Sequence, residues 1–473
     1  MDAREALFIN GGWREPHGAG TVEVLDTVTE EEMGRVPAGD SDDVDLAVRA
    51  ARAAFDTWSL TPIDQRAQLL SDIADALQVE RDHLARLMAR EVGTPIATSE
   101  KTQVDLAISV FRSMAELIVD LPLEEKLANG SVIRVPAGVV AAITPWNYPL
   151  YQLAAKLAPA MAAGCTVVVK PSSVAPLAAF RLADILERLN VPPGVVNVVA
   201  GAGAAVGEDL VTHPMVDMVS LTGSVAAGAR VGALAARDIK RVTLELGGKS
   251  AFILTPGADI EAAVAALLSS AFANNGQTCS ATTRLVVTHD DLDDVEQLLV
   301  ARVAAMTVGD PLDRSTAVGP VASAAQRASI RRDLEQGVGE GTLLVGGGDA
   351  LDEFPRGYFV RPTVVSRLPN SAYLAREEVF GPVLSVVPVG DVDEAVAVAN
   401  DSEYGLSGAV YAATPAEATA IARRMRTGRV SINGGGSSVL SPFGGFRKSG
   451  IGRELGPHGL AEYFELMALH MPA

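Results

Sequence analysis

From residue 139 onward, short β-branched apolar runs alternate with stretches of helical periodicity, and this constrains the fold more than any other feature. Such alternation predicts mostly parallel sheets with helices on both faces. Strands of a first series are predicted at residues 139–144, 165–170, 195–199, 218–222 and 241–245. A second series is predicted as strands at 251–254, 284–287, 384–388 and 408–412, with a helix at 260–273. Two α/β domains are therefore expected.

Polar segments follow four strands of the first series, at the points where the strands end. They are Thr144-Pro145-Trp146-Asn147, Lys170-Pro171-Ser172, Thr222-Gly223-Ser224 and Glu245-Leu246-Gly247-Gly248. Ligands of open parallel sheets bind beyond the carboxyl ends of the strands. We therefore expect one crevice to collect all four segments.

Two helices are predicted before the first series, over residues 41–58 and 61–92. In the second helix Thr61 is a candidate N-cap, with Pro62 in the first turn. The polar segment 121–134 is predicted to be an irregular excursion from the first domain that pairs with another subunit.

Length and charge exclude several classes of protein. A chain of 473 residues exceeds one compact core, so two or three domains are expected. The net charge of −19 repels a phosphate backbone, which argues against nucleic acid as a partner. The uncharged stretch 135–155 is interrupted by Pro136, Pro145 and Pro149, so no membrane span is predicted. Acidic residues near the N-terminus, where a signal peptide is basic, predict a cytoplasmic protein.

The two cysteines, Cys165 and Cys279, provide neither a disulfide framework nor a CxxC metal pair, so a reducing compartment and no metal site are predicted. A lone cysteine is more often a small buried apolar residue than a nucleophile. Cys165 lies in an apolar run and is assigned to the core. Cys279 lies in the polar segment NNGQTCS at residues 274–280, which favours an accessible, reactive thiol.

Glu245 ends a predicted strand after apolar residues. Partial desolvation is expected to raise its pKa and to suit it to general-base chemistry near neutral pH. An N-cap, or an ion pair with Lys249, explains the same residue equally well.

Two glycine-rich segments are candidates for a phosphate-binding turn. Segment 201–207 departs from the GxGxxG pattern because Val206 stands where the third glycine is required. Segment 223–228 joins a predicted strand to a helix and offers a helix N-terminus to phosphate. Gly223 and Ser224 are the better candidates, although an ordinary strand-to-helix turn has the same pattern.

Taken in order, these motifs resemble those of the aldehyde dehydrogenase family over nearly the full chain. The matching blocks are FINGGW at 8–13, TPWNYP at 144–149, VVVKPSS at 167–173, LTGSVAAG at 221–228, ELGGK at 245–249, NNGQTCS at 274–280, EEVFGP at 377–382 and SPFGG at 441–445. The resemblance implies an α/β fold with a Rossmann-like parallel-sheet cofactor domain at 1–117 and 137–246. It also implies a second α/β catalytic domain at 247–447, a small β oligomerisation element at 118–136 and 448–473, and assembly into a homodimer or homotetramer.

The resemblance further implies roles for individual residues. Cys279 matches the nucleophile that forms a thiohemiacetal and then a thioester, and Glu245 matches the base that activates the hydrolytic water. Asn147 matches the amide of the oxyanion hole, and Lys156 matches a lysine implicated in proton relay. The positions that match the NAD or NADP site are Thr144, Pro145, Trp146, Lys170, Ser172, Ser173, Gly203, Gly223, Ser224, Leu246, Gly247, Glu378 and Phe380. Those that match the aldehyde pocket are Gln152, Ala155, Thr278, Ser280 and Phe443.

Two details of the resemblance bear on cofactor and substrate. Many NAD-preferring relatives carry a glutamate where this chain has Ser173, and a carboxylate there repels the 2′-phosphate of NADP, so NAD and NADP are both compatible. The matched pocket positions include no Arg or Lys, which favours a small uncharged, apolar or aromatic aldehyde.

Two other functions compete with hydrolytic aldehyde oxidation. A coenzyme A-acylating aldehyde dehydrogenase usually lacks a base at the position of Glu245. A catalytically idle relative, acting as a binding or structural protein, is expected to have lost some of Cys279, Glu245 and Asn147. All three residues are present, so oxidation of an aldehyde to a carboxylate is the predicted activity.

Overall fold

A sheet of eight strands contains all five strands predicted between residues 139 and 245. The computed structural model describes residues 2–201, 203–349 and 351–472. The strand order across the sheet is Gly450–Ile451, Arg241–Glu245, Met218–Thr222, Val139–Ile143, Thr166–Lys170, Val196–Val198, Leu7–Ile9 and Gly12–Arg14. The five predicted strands pair in parallel, and the three others pair antiparallel. The prediction of a mostly parallel sheet is confirmed.

The strand order reverses beside Val139–Ile143. From this strand the chain proceeds through Thr166–Lys170 to Val196–Val198 on one side, and then places Met218–Thr222 on the other side. A crevice opens at such a reversal because the neighbouring connections leave in opposite directions. The polar residues after 143 and after 222 therefore face each other across it.

Helices cover both faces of this sheet. Pro149–Ala163 is rich in alanine and leucine, and all of its residues except Tyr151 are buried, because it lies between the sheet and Leu106–Asp120. The helices of this part of the chain are Ser41–Trp58, Ile63–Val79, Arg81–Val92, Ile96–Thr98, Leu106–Asp120, Pro149–Ala163, Leu177–Arg188, Gly203–Thr212, Val225–Arg237 and Gly456–Ala461, with a π-helix at Ser99–Asp105. Within the described ranges, none of the helices has the length and apolar character needed to cross a bilayer.

The helix predicted over 61–92 is two helices, which meet at Glu80. Thr61 is not the N-cap: Pro62 occupies that position, and the Thr61 hydroxyl donates instead to the Thr57 carbonyl. Leu77 and Leu84 lie on either side of the break and are both fully buried in the same core. The apolar period continues across the break, which is why periodicity alone does not reveal it.

The second sheet has seven strands and carries the second predicted series. Its order is Thr342–Val345, Thr363–Ser366, Val383–Val389, Arg284–Thr288, Ala251–Leu254, Ser407–Tyr411 and Arg429–Ile432. All pairs are parallel except the first. Its helices are Ile260–Ala271, His289–Ala304, Ala324–Gly337, Tyr373–Arg376, Val392–Asn400 and Pro415–Ala422. The sequence did not predict the strands at 342–345, 363–366 and 429–432.

Two smaller sheets complete the fold. Phe464–His470, Gly130–Pro136 and Glu124–Leu127 form an antiparallel sheet, so the segment predicted to be irregular is regular and does pair with the C-terminal strand. The other small sheet consists of the strands Asp2–Ala3, Glu32–Ala38 and Gly20–Leu25. Between these parts, Ile451 pairs with Leu244 on the first sheet, so the region after residue 448 does not belong wholly to the small sheet.

Candidate active site

The polar segments that follow the strands of the first sheet lie side by side. The Thr144 amide donates to the Lys170 carbonyl at 3.1 Å, and the Gly223 amide donates to the Glu245 carbonyl at 3.0 Å. These backbone bonds continue the parallel ladder past the strand ends. The crevice that the sequence predicts is therefore built from these strand ends.

The turn that carries Cys279 has three successive residues with positive φ. These are Asn274 at 50°, Asn275 at 60° and Gly276 at 75°. The Asn275 amide donates to the carbonyls of Gly93 and Pro320, both at 2.8 Å. Asparagine tolerates the left-handed region better than most residues, and these hydrogen bonds hold it there.

The expectation of an accessible thiol at Cys279 needs correction. Cys279 is only 9% exposed, and the preceding residues Asn274, Asn275 and Gln277 are buried. Their polar side chains bond to backbone groups of neighbouring segments rather than to solvent. Polarity in this segment therefore reflects buried hydrogen bonding, and the thiol lies inside the crevice.

Electrostatics couple Cys279 to Glu245. Burial raises the pKa of the thiol well above its usual range, and the negative charges of Glu245 and Glu378 add to this. Burial likewise raises the pKa of Glu245, the charge of Glu454 adds to it, and Lys156 opposes it. Within the described residues, the Lys249 ammonium has no hydrogen-bond partner, so the alternative of an ion pair between Glu245 and Lys249 is not realised.

A network of buried polar side chains lies behind Glu245. Lys156 is fully buried, donates to the Thr222 hydroxyl at 2.6 Å and forms an ion pair with Glu454. The Thr222 hydroxyl donates to Gln152 at 3.2 Å. Sequence reasoning missed Glu454, because only the return of the C-terminal segment to the first sheet brings it here.

Asn147 is held beside the cysteine turn. It is 4% exposed, and its amide nitrogen donates to the Gln277 carbonyl at 3.0 Å. The backbone carbonyl of Asn147 accepts hydrogen bonds from the side-chain amides of Gln103 and Asn274, at 2.8 and 2.9 Å. The side-chain amide of Asn147 has two N–H donors, and the hydrogen bond to the Gln277 carbonyl uses one of them. The side chain is thus a preorganised donor next to Cys279.

At one end of the crevice, the described residues fit a phosphate-bearing cofactor. The Lys170 ammonium is 6% exposed and donates to the Pro171 carbonyl, which leaves further N–H donors for hydroxyl groups. Ser224 is the exposed N-cap of Val225–Arg237, and a helix N-terminus attracts phosphate. Gly203 is the first residue of Gly203–Thr212.

At the other end, the residues fit a ribose and a flat ring. Glu378 accepts from the Gly248 amide at 2.8 Å, and burial raises its pKa to about 7. A Cβ on Gly247 would stand 2.0 Å from the Glu378 carboxylate, so a side chain there would displace this carboxylate. Phe380 has a φ of 54° and meets the Trp146 ring edge-on at 5.4 Å.

The remaining predicted cofactor positions have ordinary surroundings. Ser172 and Ser173 lie half-buried in the bend after Thr166–Lys170, and Leu246 is buried with its amide bonded to the Ser449 carbonyl. Thr144 is buried, and Pro145 is partly exposed beside it.

A cavity of about 510 Å³ opens beside the cysteine turn. Ser280 and Phe443 line it, together with the exposed glycine–serine loop at residues 434–438. Gln152 and Ala155 do not line it, because both are buried in the helix Pro149–Ala163. Thr278 also lies outside the lining and is hydrogen-bonded to the Tyr148 hydroxyl.

The cavity also contains a basic residue that the sequence reasoning missed. Arg429, at the start of a strand that was not predicted, lines the wall beside Ser280. The five matched pocket positions contain no Arg or Lys, and Arg429 adds a charge from a position outside that set. Only the missing strand assignment could have brought this arginine to the site.

Comparison with known proteins identifies close relatives. The aldehyde dehydrogenase family model matches residues 13–469. The chain is 45% identical over 470 residues to a 3-succinoylsemialdehyde-pyridine dehydrogenase from a Pseudomonas species, covering 99% of this chain and 98% of that protein. It is 43% identical over 472 residues to a geranial dehydrogenase from Castellaniella defragrans, covering 98% of each. A variant of aldehyde dehydrogenase C from Pseudomonas syringae, solved with NAD⁺ and octanal, superimposes with a TM-score of 0.98 at 41% identity, covering 99% of this chain and 97% of that one.

The cysteine turn yields a first testable prediction. In Gly276→Ala the added Cβ would stand 2.0 Å from the Gly381 carbonyl oxygen at a φ of +75°, so backbone must move. Gly257→Ala is the matched control, with a φ of +78° and nothing within 4 Å of the Cβ. The control is expected to lose about 1–2 kcal/mol from backbone strain alone. We expect Gly276→Ala to lose clearly more, with an altered rate of Cys279 alkylation. Equal losses in denaturant unfolding and equal alkylation rates would contradict the assigned role of this turn.

Proposed function

This chain belongs to the aldehyde dehydrogenase family, and from that premise we propose that Cys279 attacks the aldehyde and that Glu245 activates the water that releases the carboxylate. The protein is an enzyme that oxidises an aldehyde with a nicotinamide cofactor. The observation that carries the residue assignment is the buried carboxylate of Glu245, which interacts with the thiol of Cys279.

The first step is attack of the Cys279 sulfur on the aldehyde carbon. Burial and mutual repulsion disfavour negative charge on both the thiol and Glu245. The thiol must lose its proton as sulfur attacks, and the Glu245 carboxylate is the group that we propose accepts it. The new oxyanion takes hydrogen bonds from the Asn147 amide and the Cys279 backbone N–H. One such preorganised donor contributes about 3 kcal/mol.

The second step is hydrolysis. A nicotinamide, which Glu378 and Phe380 would hold, would supply the hydride acceptor when bound. Loss of hydride would leave the substrate carbon joined to Cys279 as a thioester. Glu245 takes a proton from water, the water oxygen attacks the thioester, and the Cys279 sulfur leaves. The balance is aldehyde, water and oxidised cofactor to carboxylate, reduced cofactor and two protons. Lys156, through Glu454 and Thr222, is the path we propose for proton exchange behind the base.

The two competing functions have less support. Transfer to coenzyme A needs a thioester that survives water, whereas the buried base at Glu245 favours its hydrolysis. A scaffold without activity gains nothing from a carboxylate that is buried beside a buried thiol, because burial of an ionisable group costs free energy. Hydrolytic oxidation is therefore the function we propose.

The cofactor site is proposed to take NAD or NADP. Binding of NAD⁺ to aldehyde dehydrogenase C supports NAD. The half-buried hydroxyl of Ser173 carries no charge to repel a 2′-phosphate, which supports NADP as well. We propose that Lys170 and Ser173 lie towards the adenosine ribose and that Glu378 and Phe380 lie towards the nicotinamide.

The substrate is proposed to be an aldehyde with an apolar body. Tyr151, Phe443 and Leu455 contribute apolar surface to the cavity wall. The bound octanal in aldehyde dehydrogenase C and the name geranial dehydrogenase both indicate apolar aldehydes in relatives. The Arg429 side chain adds a charged donor to this otherwise uncharged wall.

We propose that the chain forms a homodimer or homotetramer through its C-terminal strand. Phe464–His470 is an edge strand, and Leu466, Met467 and Leu469 on it are exposed. An exposed apolar edge strand is a ready template for pairing with another chain. Sedimentation at micromolar concentration is expected to give a dimer or larger, and a monomer would refute the proposal.

A cytoplasmic location is proposed from the chemistry of the cysteines. Cys165 and Cys279 are both free and both buried. The mechanism needs Cys279 reduced, and a reducing compartment keeps it so.

The mechanism predicts distinct outcomes for three substitutions. With an aldehyde panel and NAD or NADP supplied separately, Cys279→Ala is expected to abolish cofactor reduction, measured by absorbance. Glu245→Gln is expected to form the first stoichiometric equivalent of reduced cofactor more slowly than the wild type. Later turnover is expected to be at least about 100-fold slower, because the thiol and the hydrolytic water both lose their base. Cys165→Ala is the matched control, since this buried thiol lies away from the site and burial raises its pKa to about 11. Steady turnover by Cys279→Ala would exclude the thioester route.

The environment of Glu245 predicts a pH effect. Its raised pKa means that base catalysis is lost as pH falls through that pKa, above the range of an ordinary glutamate. Glu454→Gln removes a negative charge and leaves the Lys156 charge unneutralised, and both changes lower the pKa of Glu245. We expect the acidic limb of the rate profile to move to lower pH. The control Glu116→Gln, exposed on Leu106–Asp120, is expected to leave the limb in place. If the acidic limb of Glu454→Gln stays in place or moves to higher pH, that result would argue against Glu245 as the titrating base.

A further inference from the structure

Arg429 is positioned so that its guanidinium faces the aldehyde cavity. Its Nη2 donates to the Ser280 hydroxyl at 3.3 Å, and its Nε donates to the Ser407 hydroxyl at 3.1 Å. The guanidinium carbon lies 5.3 Å from the centre of the Phe443 ring. Two hydroxyls and an aromatic face therefore fix the plane of the guanidinium.

The positive charge of Arg429 has no carboxylate partner. Among the described residues no ion pair involves Arg429, and no acidic side chain lines the cavity in the described part of the chain. A guanidinium carries five N–H donors, and the two serine contacts use only two of them. A partly buried charge is normally paired, because leaving it unpaired costs free energy. The chain carries a net charge of −19, yet in its described part no carboxylate pairs with this cation, which leaves the charge available to a ligand.

We propose that Arg429 binds a second oxygen of the substrate, a carbonyl or carboxylate oxygen, while the aldehyde carbon meets Cys279. The proposal rests on the function proposed above and names its substrate class: aldehydes that carry an oxygen acceptor a few carbons from the reacting carbon. Ser280 adjoins Cys279 in the chain and contacts Arg429 in space, so a short substrate spans the two groups. A plain alkyl aldehyde would leave the remaining N–H donors of the guanidinium desolvated and without an acceptor.

The energetics favour discrimination at this residue. Hydrogen bonds to a charged donor contribute more than neutral ones, and a carboxylate can engage a guanidinium with both oxygens. The free donors of Arg429 would face a neutral keto oxygen or a carboxylate in the same way. The expected preference over a chain-matched alkyl aldehyde is about 10- to 100-fold in kcat/KM.

The experiment measures kcat/KM of the enzyme, with NAD, for aldehydes of matched chain length. Butanal and pentanal lack an acceptor, succinate and glutarate semialdehydes carry a carboxylate, and 4-oxopentanal carries a ketone. Arg429→Met keeps the length of the apolar stem, Arg429→Lys keeps the charge without the fork, and Arg423→Met is an exposed control. We expect the wild type and the control to prefer acceptor-bearing aldehydes. Arg429→Met should reduce this preference about tenfold or more, mainly through KM, and Arg429→Lys should retain part of it for the carboxylates.

The outcomes separate this inference from the proposed function. If the wild type prefers only the semialdehydes, the oxygen that Arg429 binds is assigned to a carboxylate. If it also prefers 4-oxopentanal, that oxygen is assigned to a carbonyl group. A wild-type enzyme that oxidises pentanal without any preference overturns the role of Arg429 and leaves the proposed function standing. Equal losses for all aldehydes in both Arg429 variants overturn it too, because the arginine then acts on the thiol or the fold. A wild type that oxidises none of these aldehydes, with either cofactor, overturns both proposals.

Discussion

The buried ion pair between Lys156 and Glu454 connects the chemistry of this enzyme to its architecture. Its partners are 298 residues apart, and both are almost completely buried. Removing one partner of such a pair typically costs about 3–5 kcal/mol, because the other charge is left unpaired. The Glu454 backbone also exchanges two hydrogen bonds with Phe443, which lines the cavity beside Ser280. One contact thus holds the C-terminal segment against the first sheet, sets the charge beside Glu245 and positions the cavity wall.

Charges of both signs act on the buried thiol. Glu245, Glu378 and Glu454 make negative charge on their neighbours unfavourable, and Lys156 and Arg429 oppose that effect. An enzyme that must ionise sulfur once and water once in each cycle benefits from carboxylates whose protons are easily exchanged. The same arrangement reduces stability, since unpaired buried charges oppose folding.

The sequence was most informative where one local pattern determines the structure. Apolar β-branched runs predicted five parallel strands, two of them to the residue, and the motif resemblance to the family is confirmed. Prediction from the sequence failed where segments that are distant in the chain meet in the structure. Glu454 and Arg429 reach the site only through pairing of the C-terminal region with both sheets, and no local spacing records that. The thiol of Cys279 was expected to be accessible because its polar neighbours resemble a surface loop, whereas they are buried by hydrogen bonds to backbone groups.

The glycine–serine loop at residues 434–438 has an evolutionary consequence. It lines the cavity mouth, is exposed throughout, and at Gly436 a side chain would meet nothing within 4 Å. Surface substitutions away from packed or strained positions usually change stability by less than about 0.5 kcal/mol. Descendants of this gene can therefore vary Gly436 while the cysteine turn and the buried network stay intact, and can change the cavity lining without first acquiring compensating mutations in the core.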